Sequence, residues 1–198
     1  MTAHLEEALL QAKALIFDCD GTLVNSFPVY SRAWAAGFAL SGVSMSAHWY
    51  ESRNGLSEHV LMDDFERDHG VILDRDKVVA TMRNHYHENL DAFLAEITVI
   101  SDIARRFSGR LPMAVASGGP REIVTRSLYA LGLTPLFQTI VTFDDVLKAK
   151  PAPDLFLRAA VELGVEPRQC LVFEDSPQGI QAAHAAGMPV IDVVSVFR

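Results

Sequence analysis

Five short runs of almost continuously apolar residues constrain this chain most: Ala14–Asp18, Leu111–Ser117, Thr139–Phe143, Cys170–Glu174 and Pro189–Val194. A strand with one wet face alternates apolar and polar residues, whereas a strand covered on both faces does not need to. Unbroken apolar runs therefore predict a parallel sheet buried between two layers. Helical patterns over Pro120–Leu131, Pro153–Gly164 and Ser176–Ala186 separate the last four runs, and Gly132, Gly164 and Gly187 stand where those helices should stop. The four runs begin roughly 20 to 30 residues apart, the length of one βα unit. The expected class is α/β, a parallel sheet with helices on both faces.

The first interval breaks this rhythm. Residues 19–110 separate the first run from the second, far more than one crossover needs. The excess reads as helical over Val29–Leu40, Ser57–His69 and Asp76–Leu94, with Ile100–Phe107 as the crossover helix returning to the sheet. The expected organisation is a core of residues 1–26 and 96–198 with an inserted helical domain at residues 27–95. A chain of 198 residues, 49% hydrophobic, is long enough for this arrangement and too apolar for a disordered tail.

Charge narrows the partners. The net charge of −8 disfavours nucleic acid and anionic membranes, both of which demand clustered Lys and Arg, so neither is expected as a partner. An anionic substrate then needs a locally positive site. The two cysteines, Cys19 and Cys170, lie inside apolar runs and make no disulfide framework. The first fifteen residues carry Glu6 and Glu7 and lack a basic-then-apolar leader pattern. A cytoplasmic monomer is the expectation.

Chemistry gathers at the ends of the runs. Asp18-Cys19-Asp20-Gly21 follows the first, and carboxylates two apart in extended backbone point to one side. Two acids this close repel; they persist because a cation holds them, because one is protonated, or both. The alternative is a helix-capping Asp followed by a turn Asp. Ser117-Gly118-Gly119 after the second run offers a hydroxyl, free backbone N–H groups and a helix start, which together cradle an anion or simply cap a helix. Lys150-Pro151-Ala152-Pro153 places one cation in a stiff loop, where alone it reads as a solvated surface Lys, and Glu174-Asp175 brings two more acids to the end of the fourth run, as site acids or as a helix cap. Open α/β sheets bind ligands at this edge. The joint placement suits Mg²⁺ held by carboxylates from both ends of the chain and a phosphate held by Ser117, Lys150 and backbone N–H groups, with Asp18 free to attack phosphorus.

The set DCDGTL, ASGG, KPAPD and FEDSPQGI resembles, in order and across the whole chain, the four motifs of the haloacid dehalogenase superfamily of phosphatases and phosphomutases. KPAPDLF and FEDSPQGIQAA are most similar to its β-phosphoglucomutase-like branch, which includes small sugar-phosphate phosphatases, and the helical insert resembles a C1-type cap. The resemblance implies a Rossmann-like core with Asp18 as nucleophile and Asp20 as general acid/base. It implies Ser117, Gly118 and Lys150 as phosphate ligands. It makes Asp18, the main-chain carbonyl of Asp20 and Asp175 ligands of Mg²⁺, with Glu174 beside them.

Departures from the pattern lie in the insert. Mutases of the branch carry a His, a Lys and an Arg where this chain has Tyr30, Asn54 and Glu58. A mutase must grip a second phosphate, so losing these cations favours hydrolysis. Arg53, Asn54 and Gly55 are the candidate substrate contacts there. The expected activity is Mg²⁺-dependent hydrolysis of a small phosphorylated metabolite, a sugar phosphate such as fructose 1-phosphate or 6-phosphogluconate. The rivals are a hexose-phosphate mutase and a non-catalytic phosphate- or protein-binding module. His85 and His87 lie in a helical stretch with no third metal ligand in sight.

Overall fold

A computed structural model describes residues 3–53 and 55–197. The chain runs α1 (Ala3–Gln11), β1 (Ala14–Phe17), β2 (Val24–Asn25), α2 (Phe27–Ala39), α3 (Ala47–Glu51), α4 (Glu58–His69) and α5 (Arg75–Phe93). It continues through β3 (Ala95–Glu96), α6 (Thr98–Phe107), β4 (Met113–Ala116), α7 (Arg121–Ala130), β5 (Thr139–Val141), α8 (Asp154–Leu163), β6 (Cys170–Glu174), α9 (Pro177–Ala185), β7 (Val190–Asp192) and α10 (Val193–Phe197). It divides into two compact units, residues 1–25 with 96–198, and residues 26–95. Among the described residues no helix is long and apolar enough to cross a membrane.

The larger unit is a Rossmann-like α/β structure built on a five-stranded sheet of order β5-β4-β1-β6-β7, every neighbouring pair parallel. The first strand lies at its centre: β1 pairs with β4 through Leu15–Met113 and with β6 through Leu15–Leu171. Alternate residues point to opposite faces. Ala14, Ile16, Ala114, Ala116, Cys170 and Val172 form one apolar layer with Leu155, Phe156, Ala159 and Ala160 of α8 and Ala182 and Ala183 of α9. Small residues dominate that layer, which lets the helices approach closely. The opposite face carries Leu15, Phe17, Met113, Val115, Leu171 and Phe173, all buried, with the rings of Phe17 and Phe173 stacked at 4.8 Å.

Three elements differ from the sequence pattern. The last apolar run splits into β7 and α10, because Asp192 turns its carboxylate onto the N–H groups of Val194 (3.0 Å) and Ser195 (3.1 Å) and so starts a helix. Helix α1 buries Leu5 and Leu9, four apart, and is tied to α6 by Glu6 and Arg106. Short α3 starts at Ser46, whose hydroxyl accepts from the Trp49 N–H at 3.1 Å.

Apart from Ala95 in β3, the described elements of the smaller unit are helices. Helix α2 packs along α5. Its core is aromatic: Phe38 stacks on Phe65 at 3.9 Å, Trp34 on Phe38 at 5.2 Å, and Trp49 meets Phe65 edge-on at 5.3 Å.

Candidate active site

At the carboxyl end of β1 the ladder extends one residue, the Asp18 N–H donating to the Phe173 carbonyl at 2.9 Å. The chain then folds back so tightly that the Cys19 carbonyl accepts from Thr22, Leu23 and Val24. Gly21 makes this turn possible with φ of +88°, and a side chain there would also strike Asp175, its Cβ standing 2.7 Å from Cγ. The Asp175 carboxylate thus lies against the first loop, and the Thr22 hydroxyl reaches it at 3.4 Å. Asp18 itself is buried.

β4 delivers Ser117, buried, whose Oγ accepts from the Gly119 N–H at 3.0 Å. The next residue, Gly118, is exposed. The Asp20 carboxylate and the Ser117 hydroxyl both flank Gly119, each 3.4 Å from where a Cβ would stand on it. The stiff loop after β5 delivers Lys150, whose ammonium donates to Asp18 Oδ1 at 2.5 Å and to Glu174 Oε2 at 2.7 Å and sits 5.0 Å from the centre of the Phe156 ring. The strand ends therefore bring Asp18, Asp20, Ser117, Lys150, Glu174 and Asp175 to one edge of the sheet.

The two strand-end acids of β6 have different surroundings. Glu174 Oε1 accepts from the N–H of Asp175 (3.1 Å), the N–H of Ser176 (3.0 Å) and the Ser176 hydroxyl (2.9 Å), while Oε2 takes Lys150. Burial works to raise its pKa, but Lys150 and the Ser176 donors outweigh it and hold it below the ordinary value. Asp18 goes the other way. Burial, then the negative charges of Glu174 and Asp175, push its carboxyl well above the usual range despite Lys150. For Lys150, burial opposes the charge, yet the two carboxylates more than offset it and the ammonium is held more firmly than in water.

Asp18, Glu174 and Asp175 each offer an oxygen within 4.8 Å of the others. Three acids against one ammonium leave the cluster short of positive charge, which the raised Asp18 registers. Its donors are all hard oxygens, with neither sulfur nor imidazole among them, and such a set fits a hard divalent cation.

The candidate substrate residues of the smaller unit are placed separately. Arg53 spends its guanidinium within that unit, on Asp64 (3.2 Å), Asp68 (2.8 Å), the Trp49 carbonyl (3.1 Å) and the Ser52 hydroxyl (2.9 Å), and lies over the Trp49 ring. Asn54 lies outside the described residues. Gly55 is exposed, with φ of +86° and open space around it. Glu58 pairs with Arg83 at 3.4 Å, and the Tyr30 ring contacts that of Tyr86 at 4.6 Å.

Sequence reasoning passed over Thr22 and Gly179. Both stand inside the motifs, but their parts depend on contacts: Thr22 with Asp175, and Gly179 with Glu174, whose carboxylate occupies the space a side chain at 179 would need.

The matching family model is that of the haloacid dehalogenase-like hydrolases, over residues 12–187. The chain belongs to this family and is an enzyme, a hydrolase. It is 35% identical over 186 residues to the fructose-1-phosphate phosphatase YqaB of Escherichia coli, covering 90% of this chain and 95% of that protein. It is 30% identical to hexitol phosphatase A of Escherichia coli, covering 93% and 84% of the two chains. Among solved structures it superposes on CbbY of Rhodobacter sphaeroides in complex with phosphate with a TM-score of 0.81 and 25% identity, covering 90% and 84% of the chains.

Proposed function

We propose that this enzyme is a Mg²⁺-dependent phosphomonoesterase that hydrolyses a small sugar phosphate through an aspartyl-phosphate on Asp18. The observation that carries the reading is the Lys150 ammonium bridging Asp18 and Glu174 beside Asp175, four ionisable groups from two strand ends and the loop before α8 held at one point. The names of the similar phosphatases support the substrate class, with fructose 1-phosphate the first compound to try.

Asp18 and Asp175, with the Asp20 main-chain carbonyl, would hold the cation. Glu174 already takes four donors, so its part is to anchor Lys150 more than to ligate. Mg²⁺ held by these residues would supply positive charge to offset the repulsion between the carboxylates and a phosphate dianion.

The side chains divide the rest of the work. Asp18 attacks phosphorus in line, forming an O–P bond as the bond to the sugar oxygen breaks. Asp20 gives its proton to that leaving oxygen and then takes one from the water that hydrolyses the acyl phosphate, returning Asp18 as a carboxylate. Ser117, the Gly118 N–H and Lys150 hold the non-bridging oxygens, where preorganised donors count most. Residues 26–95 are assigned the role of the substrate-selecting cap, with Arg53, Asn54 and Gly55 as its candidate residues. Tyr30 packed on Tyr86, Glu58 paired with Arg83, and Arg53 engaged with two Asp side chains leave these positions ill suited to a second phosphate.

A panel of fructose 1-phosphate, 6-phosphogluconate, hexitol phosphates, glucose phosphates and phosphoglycolate tests the proposal. Phosphate release is expected with Mg²⁺ and none with EDTA. The ³¹P NMR of a glucose 1-phosphate reaction separates the mutase: isomer exchange outrunning phosphate release would overturn hydrolysis as the activity.

A further inference from the structure

The Glu174 carboxylate is fixed from two sides. Oε1 takes three donors at the start of α9, and Oε2 takes Lys150. The Ser176 hydroxyl that donates to Oε1 also accepts from the Gly179 N–H at 3.0 Å, so the first turn of α9 and the clamp are one hydrogen-bonded unit. Gly179 is buried in that turn. A Cβ on it would overlap Cδ and Oε2 of Glu174 outright and come within 2.6 Å of Cγ. The carboxylate fills the volume a side chain would have claimed. Ordinary helix energetics argues against Gly at this place, since Ala favours the helical backbone.

We propose that Gly179 is a positioning residue, its missing side chain letting Glu174 stand where it holds the Lys150 ammonium against Asp18. Gly179 is buried against Glu174 and brings no side chain of its own. The action is relayed: Gly179 makes room, Glu174 occupies it, Lys150 follows Oε2, and Asp18 Oδ1 receives the ammonium at 2.5 Å. The consequence for turnover rests on the phosphatase proposed above; the geometric relay does not.

Lys150 reactivity tests the relay without any substrate. Under limited acetylation followed by peptide mass spectrometry, wild-type Lys150 should react slowly beside the exposed Lys13 and Lys148. Gly179→Ala should raise the Lys150 rate at least about tenfold relative to both controls, because a buried ion pair that loses its partner loses its protection. Ser176→Ala adds no atoms and removes one Oε1 donor; it should raise Lys150 labelling in the same direction by less, and it carries the test if the Gly179→Ala protein does not fold. Lys150 as protected in these variants as in wild type would overturn the proposal.

Kinetics give a second readout. Gly179→Ala should lower kcat at least about tenfold. Glu174→Asp, which shortens the same arm, should cost much less in that background than in wild type. Effects that simply multiply would overturn the relay. Absence of phosphate release from wild type on every substrate would instead count against the phosphatase reading and leave the labelling result standing.

Discussion

The two units of the chain place the same residue types in opposite settings. In the unit of residues 1–25 and 96–198, Lys150 meets Asp18 and Glu174 with side chains only 10%, 7% and 1% exposed. In residues 26–95, Arg75 bridges Asp63 and Glu66, Lys77 pairs with Asp74, and Arg67 reaches Asp64 and Asp68 while itself 62% exposed. Buried pairs recover their desolvation cost only when every lone pair and proton is matched, and removing one member leaves an uncompensated charge. Exposed pairs contribute little each. The buried network is therefore kept for where it holds Asp18, and the exposed one for modest support of a small helical unit. Cohesion divides the other way. On one face of its sheet the larger unit packs mostly small residues such as Ala114, Ala116, Ala159 and Ala160, whereas the smaller unit relies on the cluster of Trp34, Phe38, Phe65 and Trp49. Both tryptophans of the chain, Trp34 and Trp49, lie in the smaller unit, so tryptophan fluorescence follows that unit alone.

The sharpest test of the contrast removes charge where it is buried. Asp18→Asn should cut turnover by about a thousandfold or more, over 4 kcal/mol of barrier, since the proposed mechanism gives the nucleophile's part to Asp18 alone. Stability should hold or rise slightly, because the amide still accepts from Lys150 and no longer repels Glu174 and Asp175. Steady-state hydrolysis with thermal unfolding by circular dichroism measures both. Activity above about a tenth of wild type would remove Asp18 from the nucleophile's place.

Removing cohesion where it is aromatic should do the reverse. Phe65 is fully buried and contacts the rings of Phe38, Trp49 and His69. Phe65→Ala should cost about 3–5 kcal/mol in the unfolding transition followed by tryptophan fluorescence. The Lys150 labelling pattern should survive below that transition. A change in Lys150 protection before the tryptophan signal moves would erase the distinction between the two units.

A smaller effect separates the two strand-end acids of β6. Asp175→Ala should raise the Mg²⁺ needed for half-maximal rate by about tenfold or more while leaving Lys150 protected, because Asp175 faces the Gly21 turn and the ammonium is held by Asp18 and Glu174. Unchanged Mg²⁺ dependence would move the cation off Asp175.

Much of this was legible in the sequence because strand and site obey short-range rules. The Cys170–Glu174 run became a strand of those bounds, and Gly164 closed α8 in a left-handed conformation. Asp18, Asp20, Ser117, Lys150, Glu174 and Asp175 reached one edge because parallel strands deliver their ends together. What stayed hidden depends on contacts between distant residues. Spacing cannot tell that Asp175 lies over Gly21, that Thr22 reaches it, or that Glu174 fills the room left by Gly179. Nor could it tell that Arg53 is taken by Asp64 and Asp68, since an i,i+11 and an i,i+15 pair across a loop leave no periodic signal. The helix α10 was missed for a different reason: Asp192 within an apolar run acts as a helix start only once its carboxylate turns back onto Val194 and Ser195.

The smallest expected effect concerns acid. Hydrogen bonds from Arg75 foremost, and from the Leu73 N–H, hold Glu66 below its ordinary pKa; the Trp49 indole foremost, then Arg67, does so for Asp68, and Lys77 for Asp74. A carboxylate with a depressed folded pKa binds fewer protons folded than unfolded. Its contribution is complete above the unfolded value, about 4, and is lost as pH falls through the folded one. The tryptophan-detected unfolding temperature should therefore drop as pH goes from 5 to 3. Arg75→Gln removes the largest cause for Glu66 and should flatten that slope, leaving the transition at pH 7 only slightly lower because the pair is partly exposed and solvent-screened. Added salt should shrink the difference between the two proteins further, as expected for charges near water. An Arg75→Gln protein with the wild-type slope would mean that these pairs contribute nothing to the acid sensitivity of the helical unit, and the contrast with the buried network would then rest on Lys150 alone.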